Sequence, residues 1–85
     1  MTSSTLSRET LEEIVRKAIG EVASDCDPAS IAAETDLRAN LDLDSVDLLR
    51  IVERVHVASG IEIPERDLGR LSTLRSWLDY LTKAS

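Results

Sequence analysis

The residues with the clearest chemical content are Asp44-Ser45-Val46-Asp47, set in the run Leu41–Leu49 where a polar loop gives way to an apolar helix. Asp44 is a good N-cap, its side-chain oxygen able to accept from the first free backbone N–H groups, and Asp47 three residues later completes a capping-box-like pair. The helix therefore starts at Ser45. A hydroxyl at the first helical position points outward, beside unpaired N–H groups and the positive end of the helix dipole, surroundings that favour an attached phosphate. Ser45 reads as a site that carries a phosphoester.

The other reactive side chains read as structural. Cys26 has no histidine near it in sequence, and a spare thiol serving as a small apolar residue is the simpler role. His56 has no ligand-spaced Cys, His, Asp or Glu around it and reads as a packing residue at the margin of the core, neither metal ligand nor base. No metal site, catalytic triad or phosphate loop is expected.

The elements that must position Ser45 follow from periodicity. Leu11, Ile14, Val15, Ala18, Ile19 and Val22 fall at helical spacing and predict a first helix from about Ser7 to Ala23. Its other face carries Glu12–Arg16 and Glu13–Lys17, read as solvated i,i+4 pairs. Residues Met1 to Thr5 are expected to be loose. From Ser24 to Leu43 no period is sustained, which predicts a long loop anchored by Ile31, Leu37, Leu41 and Leu43, with room for one helical turn at Ser30–Glu34.

The second helix should run from Ser45 to Ser59 and close at Gly60, a residue suited to a left-handed C-cap. At about 100° per residue from Ser45, Leu48, Leu49, Ile51, Val52 and Val55 centre near roughly 310° and face the core, while Asp47, Arg50 and Arg54 lie near 140–200° and face water. Val46 and Val57 fall off the core stripe and are expected to be exposed. Pro64 suits the first position of a short third helix ending near Arg70, with Leu68 and Leu71 inward. Thr73 then caps a fourth helix carrying Leu74, Trp77, Leu78 and Leu81 inward, with Tyr80 beside them. The fold class is all-α, a small four-helix bundle of three longer helices and one short third helix, with residues 1–85 forming one domain.

Composition bounds the function. With 85 residues the core is small, and 42% hydrophobic against 31% charged residues places the chain in the globular class. A net charge of −6 opposes nucleic acid and anionic membranes as partners, and one Trp, one Tyr and no Phe give little for bases to stack on. Six carboxylates between Glu34 and Glu53 face two arginines, so negative potential gathers around Ser45. Basic protein surfaces are the natural partners. No secretory signal or membrane-spanning stretch is legible, a single cysteine fits a reducing cytoplasm, and a monomer is expected.

Within Leu41–Leu49, Asp44-Ser45-Val46-Asp47 resembles the phosphopantetheine attachment motif of acyl carrier proteins. The resemblance extends to Asp36-Leu37, to Gly60-Ile61-Glu62-Ile63-Pro64, and to Leu71-Ser72-Thr73-Leu74 followed by Trp77-Leu78-Asp79-Tyr80-Leu81. One departure is visible: many family members have Gly two or three residues before the serine, where this chain has Asp42 and Leu43, which implies a less pliable loop. The resemblance implies a helical bundle without turnover of its own. It also implies 4′-phosphopantetheine moved from coenzyme A onto Ser45 by a phosphopantetheinyl transferase, and acyl groups carried as thioesters to the loading and processing enzymes of fatty-acid, polyketide or related biosynthesis.

Several residues then gain a candidate role. Val46 beside the serine is a partner contact, and Asp44, Asp47, Arg50, Glu53 and Arg54 form the rest of a recognition face whose mixed charge suggests a specialised route rather than the housekeeping one. Leu48, Leu49 and Val52, opposite Ile61, Ile63 and Leu68, are candidates for an acyl pocket, a role compatible with plain core. Two alternatives stay open: an aminoacyl or peptidyl carrier, and an unmodified acidic helical domain that binds a basic partner.

Overall fold

The computed structural model describes residues 7–84. Four α-helices carry the architecture among them: α1 (Arg8–Val22), α2 (Leu37–Leu41), α3 (Ser45–Ser59) and α4 (Leu74–Ala84), with 3-10 turns at Pro28–Ser30 and Glu65–Arg70. Helix α1 packs against both α3 and α4. Its Leu11, Val15 and Ile19 meet Ile51 and Val55 of α3 and Leu74, Trp77 and Leu81 of α4 in one fully buried cluster. Burying each such side chain contributes about 1.5–3 kcal/mol, so this seam dominates the fold. The expected bundle of three long helices is present. The Met1–Thr5 stretch read as loose lies outside the described residues.

The stretch from Ser24 to Leu43 is more ordered than a long loop. Asp27 accepts from the Ala29 N–H and starts the 3-10 turn at Pro28–Ser30, while Ser30–Glu34 forms no α-helical turn of its own. Asp36 then accepts from the N–H groups of Arg38 and Ala39, at 3.1 and 3.2 Å, and launches α2. Five residues are too few for hydrophobic periodicity to register, so only the cap marks this helix. Ile31, Leu37 and Leu43 are buried anchors as expected, and Leu41 is half-buried.

Backbone bonds fasten this segment to the start of α4: the Leu37 N–H donates to the Ser72 carbonyl at 2.8 Å and the Arg75 N–H to that of Ala33 at 2.9 Å. Arg16 secures its other end. The guanidinium pairs with Glu12 at 2.9 Å as expected, but it also donates to the carbonyls of Pro28 and Ile31 at 2.6 and 2.9 Å, so it is a half-buried clamp rather than a solvated pair. Gly20 allows the approach, since a Cβ there would come within 2.9 Å of the Pro28 ring.

The third helix is corrected. Pro64 is extended (φ −63°, ψ 146°) and lies before the element, which is a 3-10 segment over Glu65–Arg70 with Leu68 only half-buried and Leu71 fully buried. Unlike α2, this segment has no side-chain N-cap and contains Gly69, and the tighter 3-10 form is common in such short pieces. Helix α4 begins with the expected cap in reciprocal form: Thr73 Oγ1 accepts from the Ser76 N–H at 3.0 Å and Ser76 Oγ from the Thr73 N–H at 2.9 Å.

Candidate functional site

The site starts at the junction of α2 and α3. Helix α2 ends at Asp42, which adopts the left-handed conformation (φ 55°, ψ 42°) and donates its N–H to the Arg38 carbonyl. This is a conformation that L-residues enter at a cost and that Gly enters freely. The absent glycine noted in the sequence thus falls, three residues before Ser45, on the position whose backbone asks for one. Leu43 is buried and pins the junction to the core.

Helix α3 then begins as its sequence dictates. Asp44 Oδ1 accepts from the Asp47 N–H at 2.8 Å, and Asp47 Oδ2 accepts in return from the Asp44 N–H at 3.5 Å. Both carboxylates are thereby turned onto backbone donors. Ser45 stands between them, exposed at the first helical position, its hydroxyl without a hydrogen-bond partner among the described residues. A free primary hydroxyl beside the positive end of a 15-residue helix fits a phosphodiester. At the far end Gly60 takes the left-handed conformation (φ 76°) and closes the helix by donating to the His56 carbonyl.

The faces of α3 differ from expectation in one informative way. Its buried residues are Leu48, Ile51 and Val55, which centre near about 275° when Ser45 is set to zero. Leu49, expected in the core stripe, is 39% exposed, and Val52 is half-buried. Both belong to an open groove of about 400 Å³ that they form with Glu53, His56, Glu62 and Ile63. Of the six candidate pocket residues, Leu49, Val52 and Ile63 therefore meet, while Leu48 is plain core and Ile61 and Leu68 are half-buried against the core. His56 is not a margin packing residue: it is exposed, and its Nδ1 lies 3.0 Å from the Ile61 carbonyl.

The recognition residues also separate. Val46 and Val57 are 56% and 79% exposed, as their angles required. Arg54 does not simply face water, because its Nε donates to Glu21 of α1 at 3.1 Å. Arg50 is exposed without an ion pair among the described residues, and Asp47, engaged in the cap, does not pair with it. A larger groove of about 730 Å³ between α1 and α3, edged by Arg54, Val57 and Ala58, lies round the helix from Ser45.

Cys26 is half-buried beside a cleft that also touches Leu41 and Asp47. Burial, and secondarily the charges of Asp27 and Asp25, push its thiol pKa up, the opposite of what activates a nucleophile. No cluster of His, Cys, Asp and Glu suited to a metal occurs among the described residues, and no helix there is long and apolar enough to cross a membrane.

Comparison with known proteins places this geometry in context. The sequence model of the PP-binding family, described as the phosphopantetheine attachment site, matches residues 9–81. The chain is similar to a protein named acyl carrier protein in Rubrobacter xylanophilus, 31% identical over 75 residues that cover 85% of this chain and 91% of that one. It is also similar to a protein of the same name in Thermosynechococcus vestitus, 29% identical over 73 residues covering 86% and 88% of the two chains.

Proposed function

The chain belongs to the acyl carrier protein family, whose domain is a phosphopantetheine attachment site, and from that premise we propose that Ser45 is the residue that bears the group. The observation that carries this reading is the exposed, unbonded Ser45 hydroxyl at the start of α3, between two aspartates that cap the same helix. When bound, the group supplies a thiol on which acyl cargo rides as a thioester. The chain's own residues present and orient. Asp44 and Asp47 fix the first turn so that Ser45 Oγ points away from the bundle, Leu43 holds that turn against the core, and Val46 offers an apolar contact beside the hydroxyl. Glu53 and Arg50 lie further along α3, on surface open to partner enzymes.

Partners on this reading are a phosphopantetheinyl transferase and the enzymes that load and process the cargo in fatty-acid, polyketide or related biosynthesis. Arg50, exposed on α3 between Asp47 and Glu53 and without an ion pair among the described residues, supports a specialised route. The test is intact mass after co-expression with a transferase. Wild-type protein should gain one phosphopantetheinyl group, and Ser45→Ala should gain none while keeping its helical circular dichroism and thermal midpoint. Modification of the alanine variant would move the site elsewhere, and an unmodified wild type would favour the acidic interaction domain.

A further inference from the structure

Ser45 and the groove share one face of α3. Leu49, Val52, Glu53 and His56 stand at i+4, i+7, i+8 and i+11 from the serine, within about 80° of its direction at 100° per residue. With a rise of about 1.5 Å per residue, the groove begins one turn from Ser45 and ends about three turns away. Cargo tethered at Ser45 reaches it without crossing to another face.

The groove is apolar at its floor and one-sided in its polar chemistry. Leu49, Val52 and Ile63 supply the apolar surface, and Glu53, Glu62 and His56 supply every ionisable group along it. Neither Glu53 nor Glu62 forms an ion pair among the described residues, although four other carboxylates of this acidic chain do. His56 stands beside them, held by the backbone. Its Nδ1 faces the Ile61 carbonyl at 3.0 Å, and because a carbonyl can only accept, Nδ1 carries a proton and is engaged there. The groove thus offers cargo two carboxylates and no lysine or arginine.

We infer that this groove selects cargo by the charge of its end: it takes an acyl chain bearing an ammonium group and turns away one ending in a carboxylate, with Glu53 and Glu62 as the discriminating residues. A plain alkyl chain falls between, since it gains the apolar floor and leaves the carboxylates to water. The inference rests on Ser45 being the attachment site.

The test loads the full chain by a tolerant phosphopantetheinyl transferase with 3-aminopropanoyl, butanoyl or succinyl coenzyme A. The first two cargoes are isosteric and differ in charge; the third carries the opposite charge. Amide chemical shifts of Glu53, His56, Glu62 and Ile63 are read against the unacylated form, together with the rate of thioester cleavage by hydroxylamine. The aminopropanoyl form should shift these amides most and the succinyl form least. Glu53→Gln combined with Glu62→Gln should speed cleavage of the aminopropanoyl form by about twofold to fivefold relative to any change in the butanoyl form, the range set by exposed ion pairs. Equal groove shifts for all three cargoes, or the largest for succinyl, would overturn the inference while leaving the carrier reading intact. A protein that gains no mass from any of the three overturns the carrier reading itself.

Discussion

The Tyr80 hydroxyl donates to Asp67 at 2.5 Å, tying the 3-10 segment to α4. The segment leads out of the extended stretch that carries Ile63, one wall of the groove beside α3, and Leu71 is its buried flank on the other side. Tyr80→Phe should therefore loosen residues 65–70 before it loosens the bundle. Hydrogen exchange at those amides should quicken, at a cost of about 1 kcal/mol in global stability.

The same bond gives a pH dependence with a definite sign. Donation to Asp67, then burial and the Asp67 charge, raise the Tyr80 pKa above the ordinary tyrosine value, with Arg70 and Arg66 opposing. The fold favours the neutral phenol, so its contribution is whole below about pH 10, the unfolded value, and is lost as pH rises through the higher folded value. Urea unfolding of wild type should weaken across that alkaline range by more than unfolding of Tyr80→Phe, and parallel curves would show that the bond contributes nothing.

Asp42 is the second test. Its left-handed backbone costs an L-residue roughly 1–2 kcal/mol, which Gly avoids while giving back about 0.5–1 kcal/mol in unfolded-state entropy. Asp42→Gly should be neutral or stabilising by up to about 1 kcal/mol, whereas Asp42→Val, β-branched at positive φ, should destabilise by more than about 1 kcal/mol. Equal thermal midpoints for the two variants would refute the conformational account of the missing glycine.

What was legible in the sequence follows from how far each signal extends along the chain. Helices α1, α3 and α4 repeat their apolar residues over three turns or more, and caps such as Asp44 with Asp47 or Gly60 act within a few residues, so both could be read locally. Ser45 was legible for the second reason. Helix α2 is too short to show a period, and the mean direction of five apolar residues on α3 hides the exposed flank on which Leu49 sits. Contacts between distant residues left no local trace at all: nothing near Arg16 announces the carbonyls of Pro28 and Ile31, and nothing near Arg54 announces Glu21.

Arg16 accordingly carries more than a surface ion pair would. Three hydrogen bonds converge on one half-buried guanidinium, two of them to loop carbonyls. Arg16→Ala should cost about 1.5–3 kcal/mol, the range for hydrogen bonds to a charged group, and Glu12→Ala, which removes only the exposed-side partner, about 0–1 kcal/mol. Chemical denaturation of the two variants separates the clamp from the salt bridge, and equal losses would mean that the loop carbonyls are satisfied as well by water.

The two arginines of α3 should now behave differently. Arg54 is engaged with Glu21 on α1, with both side chains more than two-fifths exposed, so Arg54→Glu replaces a weak attraction by a repulsion. A loss of up to about 1 kcal/mol is expected in stability, with little change in partner choice. Arg50 has no ion-pair partner among the described residues and stands exposed on α3 between Asp47 and Glu53. Arg50→Glu should leave stability within about 0.5 kcal/mol of wild type. It should instead raise loading by an enzyme that docks through a basic surface, with a generic fatty-acid malonyl transferase as the probe, and lower loading by a cognate enzyme that meets Arg50 with acidic groups, because a like charge across an interface costs affinity and its removal restores it. Unchanged rates with both enzymes would leave Arg50 as ordinary surface charge and remove the support it gives to a specialised route.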